Sequence, residues 1–477
     1  MTDGCPGYKA HSVVETDHGI TADLVLDGEP CSVFGNDIHD LHLEVAYQAT
    51  ERLNVRIQPK YIGAANRSRF IFGEEFVRLP RWDGQTTKRT SDLCFSWSNH
   101  GGFHLAVKRC HDQEELFSTA GHQLVFEDQF LQLTTSMVPN YNVYGLAENI
   151  RNFRLGTNYT QALFNADTAD AMDSNSYSSH PFYQETRYHA DKPSTAHGLY
   201  ARNAHAQEWL MRERALTYRT IGGSIDLYFL SGQDASSKKE KAPSSSALET
   251  FRQYQAGCVG LPAMQQAYVL GFHQCHWGYS DIANLREVVA NYSAADIPLE
   301  SIWNDINVYD RTRIFTNDEK NFPAAGMHEF VDFLHERGQR YIVIQDSNVY
   351  FPDPSNETDV ASYPAFGRGA KANAYIRDAT SRYYFIGENW PGYSVWGDWL
   401  NPEANAWWSS EVNMFHQLIP FDGVWVDLDE PQSFCTFSCG NAELNGSVSI
   451  PALPGGVSEI TNPDPRQLNF PPYKINK

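Results

Sequence analysis

The sequence predicts a β-sandwich N-terminal domain over residues 1–250, followed by the first half of a (β/α)8 barrel over residues 251–477, with an insertion around 350–385. Three observations predict it. Apolar and polar residues alternate with period two through much of the amino-terminal half, as in half-buried antiparallel strands. Beyond Pro262 the rhythm changes to continuous apolar runs, each followed by a helical pattern, as in parallel strands covered on both faces. Four such runs can be counted before Lys477, whereas a closed barrel needs about eight. A half barrel would leave an open edge, so the remaining strands are expected from another chain.

The sandwich elements follow in order. Ile20, Ala22, Leu24 and Leu26 alternate, then Leu41, Leu43 and Val45, then Leu53, Val55 and Ile57, with Asp27-Gly28 as a turn between runs. Phe103, Leu105 and Val107 continue the style, as does the stretch from Leu124 to Leu133. Cys5 and Cys31 flank the first strands, and Cys94 and Cys110 could tie a hairpin, although spacing alone does not fix the pairing. A Ser-, Lys- and Ala-rich stretch from Asp234 to Ser246 reads as a solvated linker. Ser246 and Glu249 then form a capping box that opens a helix ending near Gly257.

The barrel elements come next. Ala267 to His273 reads as the first strand, with a helix from about Asp281 to Tyr292 after it. Ser301 to Asp305 is the second strand, followed by a helix from about Met327 to Arg337 with Gly338 as its stop. Tyr341 to Asp346 is the third. After the insertion, Asn401-Pro402 opens a helix leading into the fourth. No phosphate-cradling glycine loop, HExxH motif or serine elbow is present, and no metal or cofactor is called for.

The fourth run, Phe421-Asp-Gly-Val-Trp-Val-Asp-Leu-Asp-Glu-Pro431, carries the chemistry. The turn signal Asp422-Gly423 leads into a short strand that ends in Asp427, Asp429 and Glu430, and Pro431 bars its continuation. Alternation sends Trp425 and Asp427 to the barrel interior, and Val424 and Val426 outward against helices. Catalytic groups collect at that carboxyl end in barrels. Asp427 could equally cap the next turn.

Trp425, Asp427 and Glu430 in this spacing resemble the nucleophile signature of glycoside hydrolase family 31, the α-glucosidases and their relatives. Leu428 stands where the family usually has Met, and Asp429 where it has Asn. The resemblance extends to Asn142–Glu148 and to the stretch from Ala162 to Tyr183, in which Asp167 matches a sandwich-loop acid that touches the sugar. Trp277 matches a first-loop tryptophan. Asp305 and Asp346 match acids that bind sugar hydroxyls, Ile344 an apolar wall, Leu428 the neighbour of the nucleophile, and Trp390 and Asp398 the loop before the fourth strand. The resemblance implies a retaining mechanism, in which one ionised carboxylate attacks the anomeric carbon and a protonated one stands about 5 Å away. Asp427 is then the nucleophile and Glu430 its support. The acid/base Asp, with an Arg and a His, lies in the half of the barrel carried by the second polypeptide.

Composition narrows the partners. A net charge of −21 disfavours nucleic acid and anionic membranes, and no apolar run is long enough to cross a bilayer. With 11 Trp and 25 Tyr the chain suits a neutral ligand with flat apolar faces, such as an oligosaccharide. Eight cysteines and the sequons at Asn66, Asn158, Asn291, Asn356 and Asn445 favour a secreted, disulfide-bonded glycoprotein. The reading is therefore an α-glucosidase-type hydrolase of short α-glucans, with transfer to a sugar acceptor as a variant. An α-xylosidase or a glycan-binding protein without turnover is the alternative.

Overall fold

A computed structural model describes the chain except residues 1, 3, 62–77, 147, 149, 166–171, 173–174, 234–244, 378–383, 430, 435–470 and 476–477. Asp167, Glu430, Cys435, Cys439 and the sequons at Asn66 and Asn445 lie outside the described residues. The chain divides into two compact units, Met1–Pro262 with Gln467–Lys477, and Ala263–Arg466.

The first unit is all but wholly antiparallel strand. An eight-stranded sheet runs in the spatial order Tyr8–Glu15, Gly19–Leu26, Asp40–Ala49, Arg52–Pro59, Ile225–Leu230, Thr195–Ala201, Phe182–Arg187, Asn142–Gly145. A five-stranded sheet has the order Tyr159–Leu163, Gln207–Arg212, Ala215–Thr220, Phe130–Ser136, Val125–Glu127. The alternating residues Ala22, Leu24, Leu43, Val45, Leu53, Val55 and Ile57 share one buried cluster with Leu133, Trp209 and Leu216 of the second sheet. Period two thus places one face of each strand in a common core. Cys5 bonds to Cys31 and Cys94 to Cys110. The second bridge ties the hairpin of Leu93–Ser98 and His104–Arg109.

Two segments assigned to the barrel by sequence belong to the sandwich. Helix α1, Ala247–Tyr254, is capped as expected by Ser246, whose side chain accepts from Glu249 N at 3.1 Å. It buries Thr250, Gln253 and Tyr254, and Tyr254 stacks on Phe182 with ring centroids 4.1 Å apart. The first unit runs on to Pro262, and α1 packs on the sandwich through Thr250, Gln253 and Tyr254. Tyr473, in the tail, packs its ring 4.8 Å from Phe130 and 4.9 Å from Phe34. Arg219 donates to its hydroxyl at 2.9 Å.

The second unit is built on four parallel strands in the order β1 (His273–His276), β2 (Ser301–Asn304), β3 (Arg340–Asp346), β4 (Gly423–Asp427). Helix α2 (Ile282–Ala294) connects the first pair, capped by Asp281, which accepts from Asn284 N at 2.8 Å. Helix α3 (Ala324–His335) connects the second and buries Met327, Phe330, Val331 and Leu334, the i, i+3, i+4, i+7 stripe that a sheet-covering helix requires. Gly338, at φ +73°, takes the left-handed position that ends it.

Between β3 and β4 lies the insertion. It holds α4 (Glu357–Ser362), α5 (Pro364–Lys371) and a small antiparallel sheet of Asn348–Tyr350, Gly392–Trp396 and Gly387–Asn389. Helix α6 (Pro402–Leu418), capped by Asn401, then leads into β4. Arg368 of α5 donates to both carboxylate oxygens of Glu411 on α6, at 2.6 and 2.7 Å.

Two expectations are corrected. The first strand begins at His273, and Ala267–Leu270 is a 3-10 turn. Strand pairing needs a partner, and β2 offers one only from Ser301, opposite His273. Val424 and Val426 are not packed under helices: they are 43% and 66% exposed. Beyond β4 no strand follows in this sheet among the described residues, so β4 is its edge there.

Candidate active site

The parallel register aligns the strand ends. Asn304 stands opposite Val343, Ile344 opposite Trp425, and Asp346 opposite Asp427. Alternation then puts Ser301, Trp303 and Asp305 on the same inward face as Ile342, Ile344 and Asp346, and as Gly423, Trp425 and Asp427. Trp303 and Trp425 lie with ring centroids 5.8 Å apart, and Trp303 Nε1 donates to Ser301 Oγ at 3.0 Å and to His273 Nδ1 at 3.1 Å. Ile344 is sealed between these rings and the core, as an apolar wall would be.

Above the rings sit the acids. Asp346 is 1% exposed, and burial with the like charges of Asp427, Asp429 and Asp305 pushes its carboxyl up to about 8. Burial also raises Asp305, while the Ile306 N–H and nearby His276 pull it back. Asp305 accepts from Ile306 N at 2.6 Å, so it caps the turn that leaves β2. Tyr309, from that turn, donates its hydroxyl to Ile344 O and pins β3 from behind. Leu428 follows Asp427 with φ +52°, a left-handed conformation for a branched side chain, and its carbonyl accepts from Ser347 Oγ at 3.3 Å. That strained bend turns the chain away just after Asp427.

The tryptophans of the loops are joined. Trp277, 62% exposed, lies 5.9 Å from Trp390, which packs 4.9 Å from Phe434. The β1 loop is fixed by Gly278 N donating to Asn307 Oδ1 at 2.8 Å, and the Trp390 loop by Asn389 Nδ2 donating to Gln432 O at 3.0 Å. Asp398 lies in the turn before α6. Its carboxylate accepts from Leu400 N at 3.2 Å there. Cys275, on β1, was not singled out from sequence. Partial burial and the charges of Asp305 and Asp427 push its thiol up to about 11. Its signal was positional: it is the register partner of Trp303.

Asp305, Asp346, Asp427, Leu428, Ile344 and the indoles of Trp303 and Trp425 thus gather around one sheet end with a surplus of carboxylates. The sequence profile of the Glycosyl hydrolases family 31 TIM-barrel domain matches residues 262–452. An α-glucosidase of Aspergillus oryzae is 39% identical over 488 aligned residues, covering 98% of this chain and 48% of that protein.

The chain belongs to glycoside hydrolase family 31.

A second family 31 relative, an α-glucosidase of Schizosaccharomyces pombe, is 37% identical over 95% of this chain and 47% of its own length. The chain spans about half the length of the curated family 31 relatives it matches. Among solved structures the glucosidase II alpha subunit aligns with a TM-score of 0.72 and 18% identity, over 90% of this chain and 52% of that one. At that identity the likeness concerns the fold: a β-rich amino-terminal domain before a barrel region.

Proposed function

We propose that this chain carries the nucleophile side of a retaining α-glucosidase-type glycoside hydrolase acting on short α-glucans. The observation that carries the reading is the end of β4, where Asp427 stands on the inward face beside Trp425 and opposite Asp346. In this mechanism the Asp427 carboxylate attacks the anomeric carbon, the glycosidic oxygen leaves with a proton, and a glucosyl ester forms at Asp427. Water then releases glucose, or a sugar hydroxyl takes the glucosyl unit in the transfer variant. Trp277 and Trp390 are suited to stacking on sugar faces, and Asp305, Asp346 and Asp398 to binding hydroxyls, with Leu428 and Ile344 as apolar walls. Asp167 and Glu430 keep the roles that the family resemblance gives them.

On this reading the acid/base carboxylate, which the resemblance places in the remaining half of the barrel, completes the site, and the protein is secreted. The two disulfides with the sequons support secretion. The test is a 5-fluoroglucosyl fluoride, whose ester hydrolyses slowly, followed by peptide mass mapping. A label on Asp427 is the expected outcome. Saturable sugar binding with no label anywhere would favour a glycan-binding protein without turnover, and preferential labelling by a xylosyl analogue would favour an α-xylosidase.

A further inference from the structure

Asp346 is unlike the other acids of the site. It closes β3 as the register partner of Asp427, with both side chains on the inward face of adjacent parallel strands, about 5 Å between chains. It is buried, and its Oδ1 has no hydrogen-bond partner among the described residues. The groups that face it are known from each neighbouring element. β4 brings Asp427 and, past the Leu428 bend, Asp429. The turn after β2 brings Asp305 and Tyr309, and Tyr309 spends its proton on Ile344 O. From β1, His276 acts on Asp305 and the Cys275 thiol sits near Asp305 and Asp427. The charges that act on Asp346 are all acids.

A buried carboxylate among three like charges, with an oxygen that receives no donor, has nothing to offset its desolvation. Two carboxyls held side by side resolve that conflict by sharing one charge, which goes to the member with better solvation. Asp427 is the better exposed of the two.

We propose that Asp346 is a positioning residue that carries a proton in the resting site, so that Asp427 alone bears the negative charge of the pair. It rests on the assignment of Asp427 as nucleophile. A neutral Asp346 is a hydrogen-bond donor on the inward face, where a second anion would repel the charge on Asp427. The bound substrate or Asp427 would accept that proton's hydrogen bond, and no net proton transfer is required of it.

The experiment compares Asp346→Asn, which mimics the protonated acid in shape and charge, with Asp346→Ala. In the folded chain the acid keeps its proton to about pH 8, whereas in the unfolded chain it ionises near pH 4. The folded state therefore binds more protons between those values, and wild-type stability falls as pH rises through that window. The melting temperature of Asp346→Asn should match wild type near pH 4 and exceed it increasingly up to pH 8. A deficit of constant size, or one that grows with pH, would overturn the proposal, because the first means that the fold does not hold the proton and the second that it favours the anion. Kinetically, Asp346→Asn should keep kcat within about tenfold and lose the alkaline fall of kcat/KM, while Asp346→Ala should lose more. Asn behaving as badly as Ala would also overturn it. Failure of inhibitor labelling at Asp427, with the melting pattern intact, would remove the enzyme reading and leave the proton on Asp346 standing.

Discussion

The indoles of Trp303 and Trp425 meet at 5.8 Å although strand β3 runs between their own strands. Two strands separated by a third lie about 10 Å apart in a flat sheet. Contact between them requires the sheet to curl toward its inward face, with Ile342 and Ile344 beneath the rings.

Removing one ring should be felt in stability before function. Trp303→Ala loses the contact and both hydrogen bonds of Nε1, and should lower unfolding free energy by about 3 kcal/mol. Trp303→Phe keeps a ring and loses only the donor, for about 1 kcal/mol. Urea unfolding followed by tryptophan fluorescence checks both, and a double-mutant cycle with Trp425→Ala should return a coupling of about 1 kcal/mol.

Asp427→Asn should abolish turnover while the chain folds. The amide is no nucleophile, so kcat should fall roughly 10⁴-fold or more, and azide added as an external nucleophile should restore part of it. Stability at neutral pH should hold, and Asp346 should ionise at a lower pH, since one of the like charges acting on it is gone. A variant that unfolds would mean that Asp427 is chiefly a structural cap, and one that keeps its rate would remove it from the chemistry.

Much of this was legible because it depends on local pattern. Period two placed Leu24, Leu43 and Val55 in the core, the capping residues Ser246, Asp281 and Asn401 open the helices expected of them, and Gly338 ends α3. The end of β4 was read from alternation alone. What was not legible depends on partners distant in the chain. Ala267–Leu270 is apolar enough for a strand, but its pairing is decided by Ser301. Tyr473 looks like part of a loose tail until Phe34, Phe130 and Arg219 are placed around it. Cys275 carries no sequence signal of its own, because its surroundings come from β2 and β4.

Cys275 offers a probe of the site's charge that needs no turnover. With its thiol pushed up to about 11 by partial burial and by Asp305 and Asp427, alkylation by iodoacetamide at pH 8 should run about a hundredfold slower than for a free thiol. Asp427→Asn should speed it severalfold by removing one of the two charges. Mass spectrometry of the modified peptide over time gives both rates, and an unchanged rate in the variant would separate Cys275 from Asp427.

The sandwich carries its own pH sensitivity at His197. The ring is buried with its Nε2 3.5 Å from Glu185 Oε2, and burial, aided by Arg187 and Arg109, drives its pKa well below the ordinary value. Glu185 would favour a charged ring, but desolvation and the two guanidinium groups outweigh it. The folded chain thus keeps His197 neutral where the unfolded chain binds a proton below about pH 6.5. Stability from this residue is fully present above that value and is lost as pH falls below it, by up to about 1.4 kcal/mol per pH unit. His197→Gln should shallow the fall in the urea midpoint between pH 7 and pH 5, whatever its effect at pH 7. An unchanged slope would mean that His197 accepts its proton in the folded state with Glu185 as counter-ion.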